Sequence, residues 1–133
     1  MSASTIASIS VATVAGELPA PVVFGDWIMK TREYVVVRVT LNSGIEGWAF
    51  TLTRDGAVSE QIRKTLKNIY LGTNAEEVEK TYTTALRRSL ASHSAGLGLR
   101  ALSILDLATW DARAKQSNQS ISKLLGGTLE PMP

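Results

Sequence analysis

Hydrophobic and polar positions alternate in the first part of the chain and recur every three to four residues in the rest. "IASISVATVA", Ile6 to Ala15, sets Val, Ile and small residues in a partly alternating order, which predicts a strand. "GELPAPVVFGD" then interrupts the pattern with two prolines and two glycines and predicts a mobile loop. Tyr34 to Leu41 is rich in β-branched side chains, Asn42-Ser43-Gly44 carries turn chemistry, and Ile45 to Thr51 returns, so this stretch reads as a hairpin. Within it Val35, Val37 and Val39 share one face, and Tyr34, Val36, Arg38 and Thr40 share the other.

Past Asp55, a candidate N-cap, the period lengthens. Val58, Ile62, Leu66 and Ile69 recur at spacings of four and three, an apolar helical stripe that leaves Glu60, Arg63, Lys64 and Lys67 to water until Gly72 ends the helix. Asn74 with Glu77 is a capping-box variant opening a second helix, whose buried stripe is Val78, Tyr82, Ala85 and Leu86, extended by Leu90. "ASHSAG" is the next break. From Gly96 to Gln116 a helix of about five turns follows, and "SISKLLGG" adds a last short turn. The long helix carries Leu99, Leu102, Asp106, Trp110 and Arg113 on one side and Ile104, Leu107 and Ala108 on the opposite flank, so apolar groups surround its axis. Such a helix is enclosed. It is either the central core helix, with Asp106 satisfied by Ser103, Arg113 or a backbone N–H, or a helix with one flank awaiting a neighbour absent from this chain. Asp111 with Lys115 reads as a solvated or rim ion pair.

Strands followed by helices specify an α+β domain: a three-stranded antiparallel β-meander followed by a bundle of three to four helices, with strands in the range 6–51 and helices in 56–125 of one 1–133 unit. The 133 residues, 44% hydrophobic and 20% charged, are ordinary globular usage for one domain. A net charge of +2 with Lys and Arg scattered, apart from Arg87-Arg88, argues against a nucleic-acid partner. The absence of cysteine excludes disulfides and thiolate zinc sites and fits a cytoplasmic location. Residues 1–15 lack a basic leader and are interrupted by Ser8, Ser10 and Thr13, so neither a signal peptide nor a membrane partner is expected.

Little here can do chemistry alone. His93, the only histidine, lies in the Ser/Gly break and reads as an exposed loop residue. Gly96-Leu97-Gly98 follows a helix rather than a strand and reads as a turn, not a phosphate loop. The acids are dispersed, without the clustering an all-oxygen metal site needs. No catalytic residue and no metal ligand is expected, and no cofactor in this chain.

"GLGLRALSILDLATWDARAKQSNQSISKLLGG" resembles the late helical segment of the N-terminal capping domain of the enolase superfamily, in its mandelate racemase and muconate lactonizing branch. The likeness rests on Asp106 in a small-residue helix, then Trp110-Asp111, Lys115 and Leu124-Leu125-Gly126-Gly127, together with the hairpin "YVVVRVTLNSGIEGWAFT". It extends in order from Ile6 to Gly127. The resemblance implies a lid over a separate (β/α)-barrel that carries magnesium and the bases removing a proton α to a carboxylate; the barrel is absent from this chain. It implies partners too: the barrel domain, a small-molecule carboxylate substrate and a homo-oligomer. By the same resemblance, two loops select substrate and exclude water. The first is Pro19 to Lys30, offering Val22, Val23, Phe24 and Trp27; the second runs from Phe50 to Asp55 and offers Phe50, Thr51 and Arg54. Where many relatives carry Gly-x-Gly-Glu, this chain reads Gly47-Trp48-Ala49-Phe50, which points to racemases and acid-sugar dehydratases of hydroxy or sugar acids. The rival expectation is a stand-alone binding or assembly module that reuses the lid fold.

Overall fold

Strands β1 (Ile6–Phe24), β2 (Trp27–Leu41) and β3 (Glu46–Leu52) form an antiparallel sheet in the order β1-β2-β3 in the computed structural model of the chain. The structure describes residues 3–53, 57–93 and 96–128, and of 89–93 the backbone alone. Helix α1 (Val58–Gln61) runs through a π-helical turn (Ile62–Leu66) into α2 (Lys67–Tyr70), a 3-10 turn (Ala75–Glu77) leads to α3 (Val78–His93), and α4 (Leu97–Ser117) and α5 (Ile121–Leu124) follow. This is the α+β meander-then-helices architecture that the change of period predicts.

The alternation along β2 decides which face is core. Val35, Val37 and Val39 are fully buried, and Ile6, Ile9 and Leu41 join them against Val58, Ile62, Leu66, Tyr70, Leu102 and Leu105. In the register Val37 opposes Val11 and Ala49, while Val36 opposes Ala12 and Phe50, so the outer face carries Val14, Tyr34, Val36, Trp48 and Phe50. Arg38 stands over the Trp48 ring at 5.4 Å and pairs with Glu46 at 3.1 Å, giving that face a polar border.

Helix α4 lies directly on β3 because both surfaces are small at the crossing. Gly47 has no side chain, and a Cβ placed there would overlap the Ala108 carbonyl oxygen and the Ala112 nitrogen and stand 2.7 Å from the Ala112 Cβ. Close approach lets two polar side chains of α4 reach the free edge of β3. Asp111 Oδ2 accepts from the Trp48 N–H at 2.8 Å, and Lys115 Nζ donates to the Glu46 carbonyl at 3.1 Å and to Asp111 Oδ2 at 2.6 Å. The pair expected to be a solvated or rim ion pair is, beyond that, a latch between helix and strand edge. Removing it in Asp111→Ala leaves the Trp48 N–H without its charged acceptor, and urea denaturation is expected to show a loss of about 1–2 kcal/mol. A loss below about 0.3 kcal/mol would mean that water replaces the latch at no cost.

The other boundaries follow local chemistry. Gly72, at φ +79°, ends α2 as expected. Asn74 caps the next turn by accepting from the Glu76 N–H at 3.0 Å, but Glu77 turns outward to Lys80 at 2.8 Å, so the reciprocal half of the capping box is not formed. Val78, Thr81 and Ala85 are buried on α3 with Tyr82 and Leu86 half-buried, which matches the expected stripe; the side chain of Leu90 lies outside the described residues. The residue before α1 is Ala57, with no side-chain cap, and Asp55 lies outside the described residues. His93 is the last residue of α3 rather than part of a loop, and its side chain lies outside the described residues. Among the described residues no helix is long and apolar enough to cross a membrane.

Candidate functional site

Beyond the end of β3 the first two strands continue alone. Tyr34 opposes Leu52, the Thr53 N–H donates to the Glu33 carbonyl at 3.1 Å, and from Arg32 back to Trp27 strand β2 has only β1 beside it. This arm projects about 20 Å at a strand's rise per residue. The stretch expected to be a mobile loop, Pro19 to Lys30, is the outer part of this hairpin. The prolines mislead because they sit in an irregularity: between the pairs Glu17–Thr31 and Val22–Met29, β1 advances by five positions and β2 by two. Pro19 and Pro21, with no N–H to give a ladder, occupy the bulge so formed. Gly25, at φ +58°, makes the turn with Asp26, and the flanking Phe24 and Trp27 stack with ring centroids 5.7 Å apart.

At the tip Val23, Phe24, Trp27 and Ile28 are all more than half exposed. A two-stranded ribbon is marginal by itself, and this one ends in a contiguous exposed apolar cluster. Between the arm and the end of β3 lies an open cleft of 720 Å³, walled by Phe24, Trp27, Met29, Arg32, Leu52 and Thr53. A second groove of 350 Å³ lies where β3 meets the start of α4, lined by Phe50, Thr51, Leu99, Arg100, Ser103 and Leu107. Arg100 Nη1 donates to Thr51 Oγ1 at 3.2 Å across its floor. Phe50 is 70% exposed, touched edge-on by Tyr34 at 6.0 Å. Leu99, Ser103 and Leu107 form an exposed stripe on α4, whose other faces bury Ala101, Leu102, Ile104, Leu105, Ala108 and Ala112. One flank of the long helix is thus open, and it joins Leu99 to Leu107, which the sequence reading sets on opposite sides, while Leu102, Ile104 and Ala108 from both of those sides are buried.

The expected site residues divide between these two hollows. Phe24 and Trp27 wall the cleft and Phe50 and Thr51 the groove, with Leu52 linking them along β3. Val22 pairs with Met29 in the arm and is half-buried rather than presented to the cleft. Arg54 lies outside the described residues. Sequence reasoning missed Leu99, Arg100 and Leu107 as lining residues; their spacing of four and three around a polar Ser103 was the available signal.

A third feature lies away from both hollows. Asp106 Oδ1 and the Tyr70 hydroxyl are buried without hydrogen-bond partners. The expected partners are engaged or absent: Arg113 is 3.2 Å from Glu76 Oε2 and lies over the Trp110 ring at 4.9 Å. Burial pushes the Asp106 carboxyl up to about 6. Burial, then the nearby Asp106 and Tyr82, push the Tyr70 hydroxyl up as well. Neither group forms a metal centre, since the described residues contain no group of three or more His, Cys, Asp or Glu able to hold an ion.

Residues 7–126 match the family described as "Mandelate racemase / muconate lactonizing enzyme, N-terminal domain". The chain belongs to that family. It is 30% identical over 102 residues to a 3,6-anhydro-alpha-L-galactonate cycloisomerase of Streptomyces coelicolor, covering 74% of this chain and 28% of the relative. An L-talarate/galactarate dehydratase of Salmonella typhimurium is 27% identical over 94 residues, covering 69% and 24%. Among solved structures, a racemase from Streptomyces coelicolor A3(2) with bound magnesium superposes with a TM-score of 0.78 at 25% identity, covering 84% of this chain and 32% of that one. The chain therefore spans about a quarter to a third of the length of these relatives. The capping-domain fold expected from the Trp110-Asp111 and Lys115 pattern is the fold observed.

Proposed function

We propose that this domain is the lid of a longer, magnesium-dependent enzyme that acts on a sugar or hydroxy acid by abstracting a proton α to its carboxylate. The observation that carries this reading is the convergence of the exposed arm tip with the end of β3 around a 720 Å³ cleft. A lid needs an apolar rim that excludes water when seated and a few polar groups to orient the substrate. Phe24, Trp27, Phe50 and Leu52 supply the rim; Arg32 and Lys30 at the cleft wall supply positive charge for an anionic acid. The named activities of the cycloisomerase and dehydratase relatives support this substrate class. The described residues do not fit the magnesium ion, so its ligands and the proton-abstracting base belong on a barrel domain outside this chain. On this reading the 133-residue chain alone is inactive.

In the longer protein, Trp27→Ala is expected to raise KM for the acid about tenfold while leaving the melting temperature of the isolated domain nearly unchanged, because the ring is more than half exposed and stacks on the exposed Phe24. Steady-state kinetics on a panel of galactonate and galactarate derivatives would check it. Unchanged kinetics in both Trp27→Ala and Phe50→Ala would remove the lid role, and turnover by the 133-residue chain itself would remove the division of labour.

A further inference from the structure

Strand β1 leaves a stretch of its outer edge open, and we infer that this edge pairs antiparallel with the β1 edge of a second copy of the chain, on a two-fold axis at Val14. The orientation of the backbone groups decides which residues of β1 face outward. Leu41 N–H bonds to Ile45, so the odd-numbered residues of β2 face β3 and the even-numbered ones face β1. Their partners Ser10, Ala12, Val14 and Gly16 therefore bond inward, and Val11, Thr13, Ala15 and Glu17 present N–H and C=O outward. The outward groups nearer the start are used: Ile6 bonds Thr73 and Gly72 at 2.9 and 3.0 Å, and the Val11 carbonyl accepts from Arg63 Nη2 at 2.8 Å. No group among the described residues reaches those of Thr13, Ala15 or Glu17.

The two edges of the sheet are protected differently. On β3, Asp111 and Lys115 occupy the outward groups of Trp48 and Glu46. On β1, no charged residue occurs from Ile6 to Gly16, and the first prolines come at Pro19 and Pro21. An uncharged, proline-free edge with open backbone groups is a template for another strand.

Charge selects the second copy and the register. Centring the pair on Val14 sets Thr13 opposite Ala15 of the second copy and Ala15 opposite its Thr13, two hydrogen-bonded pairs that satisfy the outward groups of Thr13 and Ala15 in both copies. The same register places each Glu17 opposite the Val11 of the other copy, where the Arg63 guanidinium already sits. Glu17 and Arg63 lie on the helix-covered face of the sheet, and a two-fold axis normal to the sheet keeps that face common to both copies. Each Glu17 thereby comes beside an arginine that also pairs with Glu60 of its own chain at 3.2 Å, and Val14, 48% exposed on the outer face, packs against Val14 of the second copy. The product is a continuous sheet ordered β3-β2-β1-β1-β2-β3.

The test uses the chain's lack of cysteine. In a non-hydrogen-bonded antiparallel pair the Cα atoms stand about 4.5 Å apart, inside disulfide range. Val14→Cys under a glutathione redox buffer is expected to run almost wholly as a disulfide-linked dimer of twice 14.3 kDa, whereas Val23→Cys at the arm tip stays mostly monomeric. Without cross-linking, sedimentation should show a dimer weakened at least about tenfold by Ala15→Pro, which removes an outward N–H and leaves the β1–β2 ladder intact. Glu17→Arg should weaken it likewise, and Glu17→Arg with Arg63→Glu should restore it. Circular dichroism identifies any variant that fails to fold; Glu17→Arg, an exposed change, then carries the test. A wild-type chain that sediments as a monomer, a dimer indifferent to Glu17→Arg, or equal cross-linking at positions 14 and 23 would overturn the inference.

Discussion

Gly47→Ala is expected to destabilise the domain by about 3 kcal/mol or more, a large effect for a single methyl group. The added carbon would overlap backbone atoms of α4 at Ala108 and Ala112, and backbone cannot rotate aside as a side chain can. Relief requires α4 to lift from β3, which also stretches the Asp111 bond to Trp48 and the Lys115 bond to Glu46. The cost is thus shared by packing and by the latch. Gly16→Ala is the matched control, because a Cβ there meets nothing within 4 Å and the same loss of backbone entropy in the unfolded chain applies. Urea denaturation of both variants would separate the steric term from the general glycine effect. A domain holds about 5–15 kcal/mol in total, so Gly47→Ala should shift the midpoint strongly and Gly16→Ala hardly at all. Equal behaviour of the two would mean that α4 does not sit on β3 as described.

Most of the fold is legible where one face of an element is buried and the other is wet. Val35, Val37 and Val39 show the strand period, and Val58, Ile62 and Leu66 show the helical one, because burial acts on each residue separately and leaves a mark at each position. Contacts between elements leave weaker marks. Asp111 and Lys115 look like an ordinary i,i+4 pair, and only the nearness of β3 turns them into a latch. That nearness is written in Gly47, Ala108 and Ala112, three small residues that no periodicity singles out.

The candidate site shows both limits. Phe24, Trp27 and Phe50 were legible as apolar residues in a setting that gives them no core to join. The form of their support was not. Pro19 and Pro21 carry the local chemistry of a loop, yet the ladder on either side of them resumes after a bulge, since Val22 to Phe24 can still pair with Trp27 to Met29. Pairing across a hairpin is a property of two segments at once, and the breaker residues describe only one. The groove beside Phe50 was missed for a related reason: Leu99 and Leu107 become a lining only when α4 is placed along β3.

Asp106→Asn is expected to stabilise the domain above pH 6 by about 1–2 kcal/mol, a figure already reduced for the partial exposure of the carboxyl. Burial raises this group from 3.8 to about 6 in the folded chain. A raised carboxyl binds its proton more tightly when folded than when unfolded, so the favourable contribution is complete below about pH 4 and is lost as pH rises to about 6. Above that both states are ionised and the folded chain carries a partly buried charge. Asparagine has the same shape, no charge to desolvate, and an N–H able to meet the unpartnered Tyr70 hydroxyl or the neighbouring Tyr82 and Glu79. The difference in unfolding free energy between variant and wild type cancels the titration of every other carboxylate. Plotted against pH from 4 to 8, that difference should climb through the window and then level off. A difference independent of pH would show that Asp106 ionises as freely in the folded chain as in the unfolded one, with water reaching an oxygen that the packing of α2, α3 and α4 closes off.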